Sequence, residues 1–308
     1  MEQVVWPGVV LRWFFGALFL LRCQAIFVPS PEDSPEPAYC TVYNHLVKSG
    51  GTSIKEQLST SSLLELSRPA GLCTNDSPES GEACAVAVRN SSVIMGYAEL
   101  LRNPLRDIGR ACQWFMMMRH PIDQLVSAFY YCPEHDPQRR PAQYCGNMEY
   151  PDVPLTTRLG QFARRYWTNR IFRQMLHSIF CHPQFALCPP ELRRGRNRPY
   201  TIKTEEGREC LLKIQEIMLT YTAVGISSEW ELSMDLFDAV IVSPVRRWDR
   251  DIAYNAGLQS AERNMLLQWA SVDPELHTIL AADLVLYGFG VLIFKNQTTA
   301  HLGTVWGN

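Results

Sequence analysis

Neither sign of charge dominates this chain, its cysteine spacings contain no CxxC pair, and no unbroken apolar run reaches the length of a membrane span. With 29 lysines and arginines against 31 aspartates and glutamates in 308 residues, the formal net charge is −2. That balance speaks against bulk nucleic-acid binding, which needs a basic excess. The cysteine spacings do not resemble a zinc site. The GxxxxGK[ST] order of a nucleoside-triphosphatase loop is also missing, which disfavours an ATPase. The composition that remains is globular, 46% hydrophobic and 19% charged. The length allows one sizeable core in one elaborated domain.

The N-terminus stands apart from that core. Val9 to Phe27 is apolar except for Arg12, Arg22, Cys23 and Gln24, and Trp13 to Leu21 is unbroken. A span needs about twenty residues, so this stretch has the length of a signal-peptide core, with Cys23-Gln24-Ala25 as a cleavage site. Alternatively Val4 to Val28 is an uncleaved signal anchor whose arginines snorkel to the headgroups, or a plain buried helix. The first two readings send the rest of the chain into the secretory pathway. Residues 29–38, rich in proline and acid, read as a linker, 39–296 as a luminal domain and 297–308 as a tail. Nine cysteines follow the apolar segment. In an oxidising lumen most should pair, with Cys181 and Cys188, Cys132 and Cys145, and Cys73 and Cys84 as candidates. Asn90-Ser91-Ser92 and Asn296-Gln297-Thr298 are glycosylation sequons.

Strands alternate with helices, which predicts an α/β fold with a parallel sheet. Residues 40–47 and 112–118 read as buried strands, with shorter ones near 84–88 and 92–96. The stretch 60–82 reads as loop. A helix starts at Pro121, with Ile122, Leu125, Val126 and Phe129 on one face and Asp123, Gln124 and Ser127 on the other. A long basic helix over 156–178, a helix over 204–219, a strand over 221–226, a capping box of Ser228 with Glu231 and a helix over 274–294 complete the pattern.

Two junctions carry the chemistry. Lys48-Ser49-Gly50-Gly51-Thr52-Ser53 follows the first strand and opens a helix. Glycines there let backbone N–H groups approach an anion, the hydroxyls add donors, and Lys48 adds a full charge. Arg119 follows the second strand, where its guanidinium can fork onto a phosphate. Ser127, two turns into the next helix, reaches the same anion. Together they point to an enzyme holding a nucleotide phosphorylated at two places.

Residues TVYNHLVKSGGTSI resemble the 5′-phosphosulfate loop of the Golgi carbohydrate sulfotransferases, and MMMRHPIDQLVSAFYY resembles their 3′-phosphate segment. VGISSEWELSMDLF is similar to a third stretch of the heparan sulfate 2-O-sulfotransferase and uronyl 2-sulfotransferase group. The resemblance implies a P-loop-like three-layer fold and a type II Golgi membrane protein. Its co-substrate would be 3′-phosphoadenosine 5′-phosphosulfate (PAPS), with no metal. Lys48, Ser49, Gly50, Gly51, Thr52 and Ser53 would hold the phosphosulfate, and Arg119 and Ser127 the 3′-phosphate. His120 stands where the family has aspartate. Tyr97 stands where the family's catalytic histidine is expected, so Glu99 and His45 become substitute bases, beside Lys48 as the stabiliser of the leaving oxygen. Tyr97 also keeps open a non-catalytic binding or scaffold protein on the same fold, and transfer to protein tyrosine is a further alternative. The arginines at 193, 194, 196 and 198 and those of the basic helix (Arg158, Arg164, Arg165, Arg170, Arg173) would guide an anionic glycan acceptor.

Overall fold

Five short strands lie side by side, all parallel: β1 (Cys40–Asn44), β2 (Gly71–Cys73), β3 (Val93–Gly96), β4 (Cys112–Met118) and β5 (Ala223–Ile226). Their order across the sheet is β2-β3-β1-β4-β5. The computed structural model describes residues 40–51, 53–54, 57, 71–73, 93–96, 112–131, 152–179, 202, 204–241, 248 and 260–306. These belong to one compact unit, Ala38–Asn308. A parallel sheet covered by helices buries both faces, so its strands read as continuous apolar runs rather than alternating ones. Phe115 to Met118 of β4 and all of β5 are buried accordingly. Phe115 packs edge-on against Phe237 and Trp248 at 5.1 and 5.7 Å between ring centroids.

Among the described residues, besides the helix opening at Gly51, the α-helices are α1 (Pro121–Phe129), α2 (Leu155–Phe162), α3 (Arg170–Ile179), α4 (Glu205–Met218), α5 (Trp230–Val240), α6 (Ala261–Val272), α7 (Pro274–Ile279) and α8 (Ala281–Leu302). Their starts are written in the side chains: Thr204, Ser260 and Asp273 each accept a hydrogen bond from the backbone N–H three residues on. Two apolar clusters result. One joins β1, β4, β5, α3, α4, α5 and α8; the other joins α1, α2, α6 and α7. The α/β architecture, a parallel sheet flanked by helices, is therefore as the alternation predicts.

Several local expectations change. The first strand ends at Asn44, leaving residues 45–50 as a turn. The stretch expected to be loop contains β2, a short strand that exists by pairing with β3. The long basic helix is two: α2 runs into a π-helical turn (Ala163–Trp167), and Asn169, at φ 44°, separates that turn from α3. Asn169 Oδ1 accepts from Ala282 N (3.0 Å) at the start of α8. Buried Asp283 returns the contact, accepting from Ile171 N and Phe172 N (3.1 and 2.8 Å) at the start of α3. Each helix thus caps the other.

No capping box forms at Ser228. Residues 227–229 make a 3-10 turn, Glu229 gives α5 no side-chain cap, and Ser228 lies beside Tyr287 instead. The expected helix over 274–294 is divided at Leu280 and continues to Leu302, so the boundary expected at 296 falls inside α8. Gly290 lets β4 and α8 approach closely there, because a Cβ would collide with the Met118 sulfur and force that side chain to shift. The sequon at Asn296 lies on this helix with Thr298 buried and bonded to Phe294 O, whereas glycosylation needs an exposed loop. No helix among the described residues is long and apolar enough to cross a membrane. The apolar N-terminal segment, the linker, the sequon at Asn90, the strand expected near 84–88, residues 193–198, and the cysteines at 132, 145, 181 and 188 lie outside the described residues.

Candidate anion site at the sheet edge

β1 and β4 are parallel neighbours, with Asn44 opposite Met116. Whatever follows either strand emerges at the same edge of the sheet. That topology brings together the two junctions separated by seventy residues of sequence. Arg119 Nη1 lies 3.5 Å from the carbonyl oxygen of Lys48.

The first junction is a tight turn. Ser49 N donates to Leu46 O (3.3 Å), and Lys48 and Gly50 both take left-handed backbone, at φ 62° and 85°. A non-glycine residue in that region costs about 1–3 kcal/mol, a strain concentrated at functional turns. Residues 51, 53, 54 and 57 are helical, and Ile54 N donates to Gly50 O (3.1 Å). The backbone N–H groups of Lys48, Gly50 and Gly51 have no acceptor among the described residues. Helix starts present such donors together with a partial positive charge. At Gly51 a Cβ would occupy the His45 imidazole, so a larger residue would have to displace that ring. At Gly50 a Cβ would meet the Trp230 ring at 3.2 Å, so the start of α5 walls the turn.

The second junction braces the first. Gln124, fully buried on α1, donates through Nε2 to Val47 O (2.5 Å) and to Ser49 Oγ (3.2 Å), while its Oε1 has no partner among the described residues. From the other side Gln174 Oε1 of α3 accepts from Val47 N (3.3 Å). The expectation that Gln124 shares the outer face with Ser127 is therefore wrong. It sits three residues after Pro121 and four before Ala128, both buried, on a face made wide by the turn packed above it. Ser127 is half-buried and lies four residues after Asp123, on the same side of α1. His120 turns to α8, edge-on to Tyr287 at 5.1 Å.

The charges are crowded. Lys48 Nζ stands 3.7 Å over the Tyr131 ring. Its pKa falls to about 8, first through burial and then through Arg119 and Arg263. Arg119 is pushed down by burial, supported by Asp123 and opposed again by Arg263. Arg263, from the first turn of α6, is thus a third cation of the group, and Gln124 and Trp230 are further site neighbours. None of the three is legible in sequence. A lone arginine at a helix start looks like any surface charge, and a polar residue in an amphipathic helix looks outward-facing.

Of the sequence-predicted residues, the structure brings together Lys48, Ser49, Gly50, Gly51, Arg119 and His45, with Ser53 buried in the helix that follows and Ser127 on the adjoining face of α1. Thr52, Tyr97 and Glu99 lie outside the described residues. His45 stacks on Tyr43 (5.9 Å) and seats on Gly51, so it shapes the turn. No group of three or more His, Cys, Asp or Glu that could hold a metal occurs among the described residues. The arrangement can bind an anion and stabilise negative charge. No protein-family model matches the chain, and no curated protein matches it significantly.

Proposed function

We propose that the chain is a PAPS-dependent sulfotransferase that transfers a sulfuryl group to a hydroxyl of a carbohydrate acceptor on the luminal side of the Golgi membrane. The observation that carries this reading is the meeting of Arg119 with the Lys48 turn at one sheet edge. The strand order, with this turn directly after the middle strand, supports a P-loop-like three-layer fold. In open α/β sheets ligands bind outside the carboxyl ends of the strands, where the connections reverse direction, and here the chain leaves β1 toward β2 and later crosses from β3 to β4.

The residues fit a donor charged at two places. The N–H groups of Lys48, Gly50 and Gly51, unpaired among the described residues, suit the phosphosulfate together with Ser49 and Ser53, and Thr52 belongs to the same run. Arg119 and Ser127 suit the 3′-phosphate. When bound, the donor supplies the sulfuryl group and leaves as adenosine 3′,5′-bisphosphate. Lys48 would be the cation that stabilises charge on the departing oxygen, a kind of fixed electrostatic stabilisation that often supplies the largest part of catalysis. A base takes the proton of the attacking hydroxyl; His45, Tyr97 and Glu99 are the candidates. Trp230 and Gln124 hold the turn in place. The acceptor is read as an anionic glycan because Arg158 of α2, close enough to act on Tyr130, adds positive charge beside the site. Cys210 on α4 is disulfide-bonded, which suits an oxidising lumen.

Incubation of residues 38–308 with radiolabelled PAPS and a panel of glycans and tyrosine peptides tests the reading. Label should pass to a glycan, and Lys48→Ala should abolish the transfer. Arg119→Ala should chiefly weaken binding of adenosine 3′,5′-bisphosphate, by about ten- to a hundredfold for a lost charge-assisted pair. Tight bisphosphate binding without transfer to any acceptor would instead favour the non-catalytic binding protein.

A further inference from the structure

We propose that Arg263 is a third anion-holding residue of this site, so that docking of α6 onto α1 completes the donor cradle. The inference rests on the nucleotide reading above and extends it to an element that no sequence motif includes.

α6 is anchored where the cradle ends. Ser260 caps it by accepting from Arg263 N (3.1 Å), which fixes the backbone of Arg263 in the first turn. The neighbouring Glu262 accepts a hydrogen bond from Tyr130 Oη (2.7 Å). Tyr130 ends α1 and precedes Tyr131, whose ring underlies Lys48. Leu266 and Ala270 then bury against the cluster that contains Ile122, Leu125 and Phe129. This docking carries the Arg263 guanidinium to the side of α1 where Lys48 and Arg119 gather, near enough to disfavour the charge on each.

Arg263 Nε is buried and has no hydrogen-bond partner among the described residues. A buried guanidinium donor left unpaired is costly unless a ligand takes it up. The acidic groups at hand are engaged: Glu262 with Tyr130, and Asp123 beside Arg119. Among the described residues, three cations (Lys48, Arg119, Arg263) therefore stand against two carboxylates (Asp123, Glu262), which leaves one positive charge over. Such an excess of positive charge is relieved by a multiply charged phosphate or sulfate ester, and the planar fork of arginine suits those oxygens.

The test is calorimetric titration of adenosine 3′,5′-bisphosphate into the full chain and its variants. Arg263→Ala should weaken binding at least tenfold, and Arg263→Lys should recover part of the loss. Arg263→Gln keeps the stem packed and should match the alanine variant, which separates lost charge from lost packing. The unliganded Arg263→Ala chain should melt no lower than the parent, because removing one of three like charges relieves repulsion. Binding within twofold of the parent in both neutral variants would overturn the inference. Thermal shift with inorganic pyrophosphate separates it from the nucleotide reading. If the parent ignores the bisphosphate but is stabilised by pyrophosphate, and Arg263→Ala is not, the third cation stands while the sulfotransferase falls. A parent that binds neither anion removes both.

Discussion

Lys48 combines three costs at one residue: left-handed backbone, partial burial and two neighbouring guanidinium groups. No described contact offsets them except the Tyr131 ring beneath the ammonium. Such strain persists only where the surrounding structure over-determines it, and here Gln124 and Gln174 grip the residue before Lys48 from opposite sides. The chemistry gives a pH signature. Without ligand the ammonium loses its proton at about 8. An anion binds the charged form, so bound ligand raises that pKa. Affinity for adenosine 3′,5′-bisphosphate should be level between pH 7 and 8 and fall above it, approaching about tenfold per pH unit as one proton is taken up on binding. Isothermal titration from pH 7 to 9.5 measures this directly. Lys48→Ala should bind more weakly throughout and lose the alkaline limb, and an unchanged limb in that variant would assign it to another group.

At the scale of elements, the two junctions form one device because α1 reaches back under the turn that follows β1. Gln124→Leu removes both bonds to that turn and strands the Val47 carbonyl, at a cost of about 1–3 kcal/mol. Its urea unfolding midpoint should drop accordingly, and its apparent KM for PAPS should rise more than its kcat falls, because Gln124 positions the cradle without touching the reacting atoms. A variant that loses stability yet keeps the parent's KM would make Gln124 merely structural. How much of this was legible follows the physics of each signal. β4 and α1 could be read because long apolar runs and a proline at a helix start are local. Lys48, Gly50 and Arg119 could be placed at strand ends, and their meeting then followed from parallel pairing. β2 could not be read, since three residues in a Gly- and Ser-rich stretch become a strand only by pairing with β3. The break at Asn169 is set by its bond to Ala282, 113 residues away. Arg263 is silent for the same reason: its role comes from where α6 docks.

Across the whole molecule, the reciprocal caps between Asn169 and Asp283 tie the cradle to the rest of the fold. α3 carries Gln174, which holds the turn, and α8 carries Tyr287, which holds His120, so the α3–α8 junction fixes supports of both segments proposed to hold phosphate. Asp283 makes that junction sensitive to pH. Burial raises its pKa to about 7, outweighing the backbone donors of Phe172, Ile171 and Arg170 and the nearby Arg173. Unfolded, the same carboxyl titrates near 4. Between those values the folded chain holds a proton that the unfolded chain has lost. The contribution of Asp283 to stability is therefore full below about pH 4, declines as pH rises, and is gone above about 7, a difference on the order of 2–4 kcal/mol. Exposed carboxylates paired with arginine, such as Glu275 with Arg164, titrate in the opposite sense. The informative quantity is thus the difference between the parent and Asp283→Asn, which cannot ionise but still accepts a backbone hydrogen bond. Urea unfolding at pH 5 and pH 8 should show Asp283→Asn less stable than the parent at pH 5 and closer to it, or above it, at pH 8. Parallel pH profiles in the two proteins would mean that Asp283 is ionised throughout, and that the caps hold α3 against α8 equally at every pH in that range.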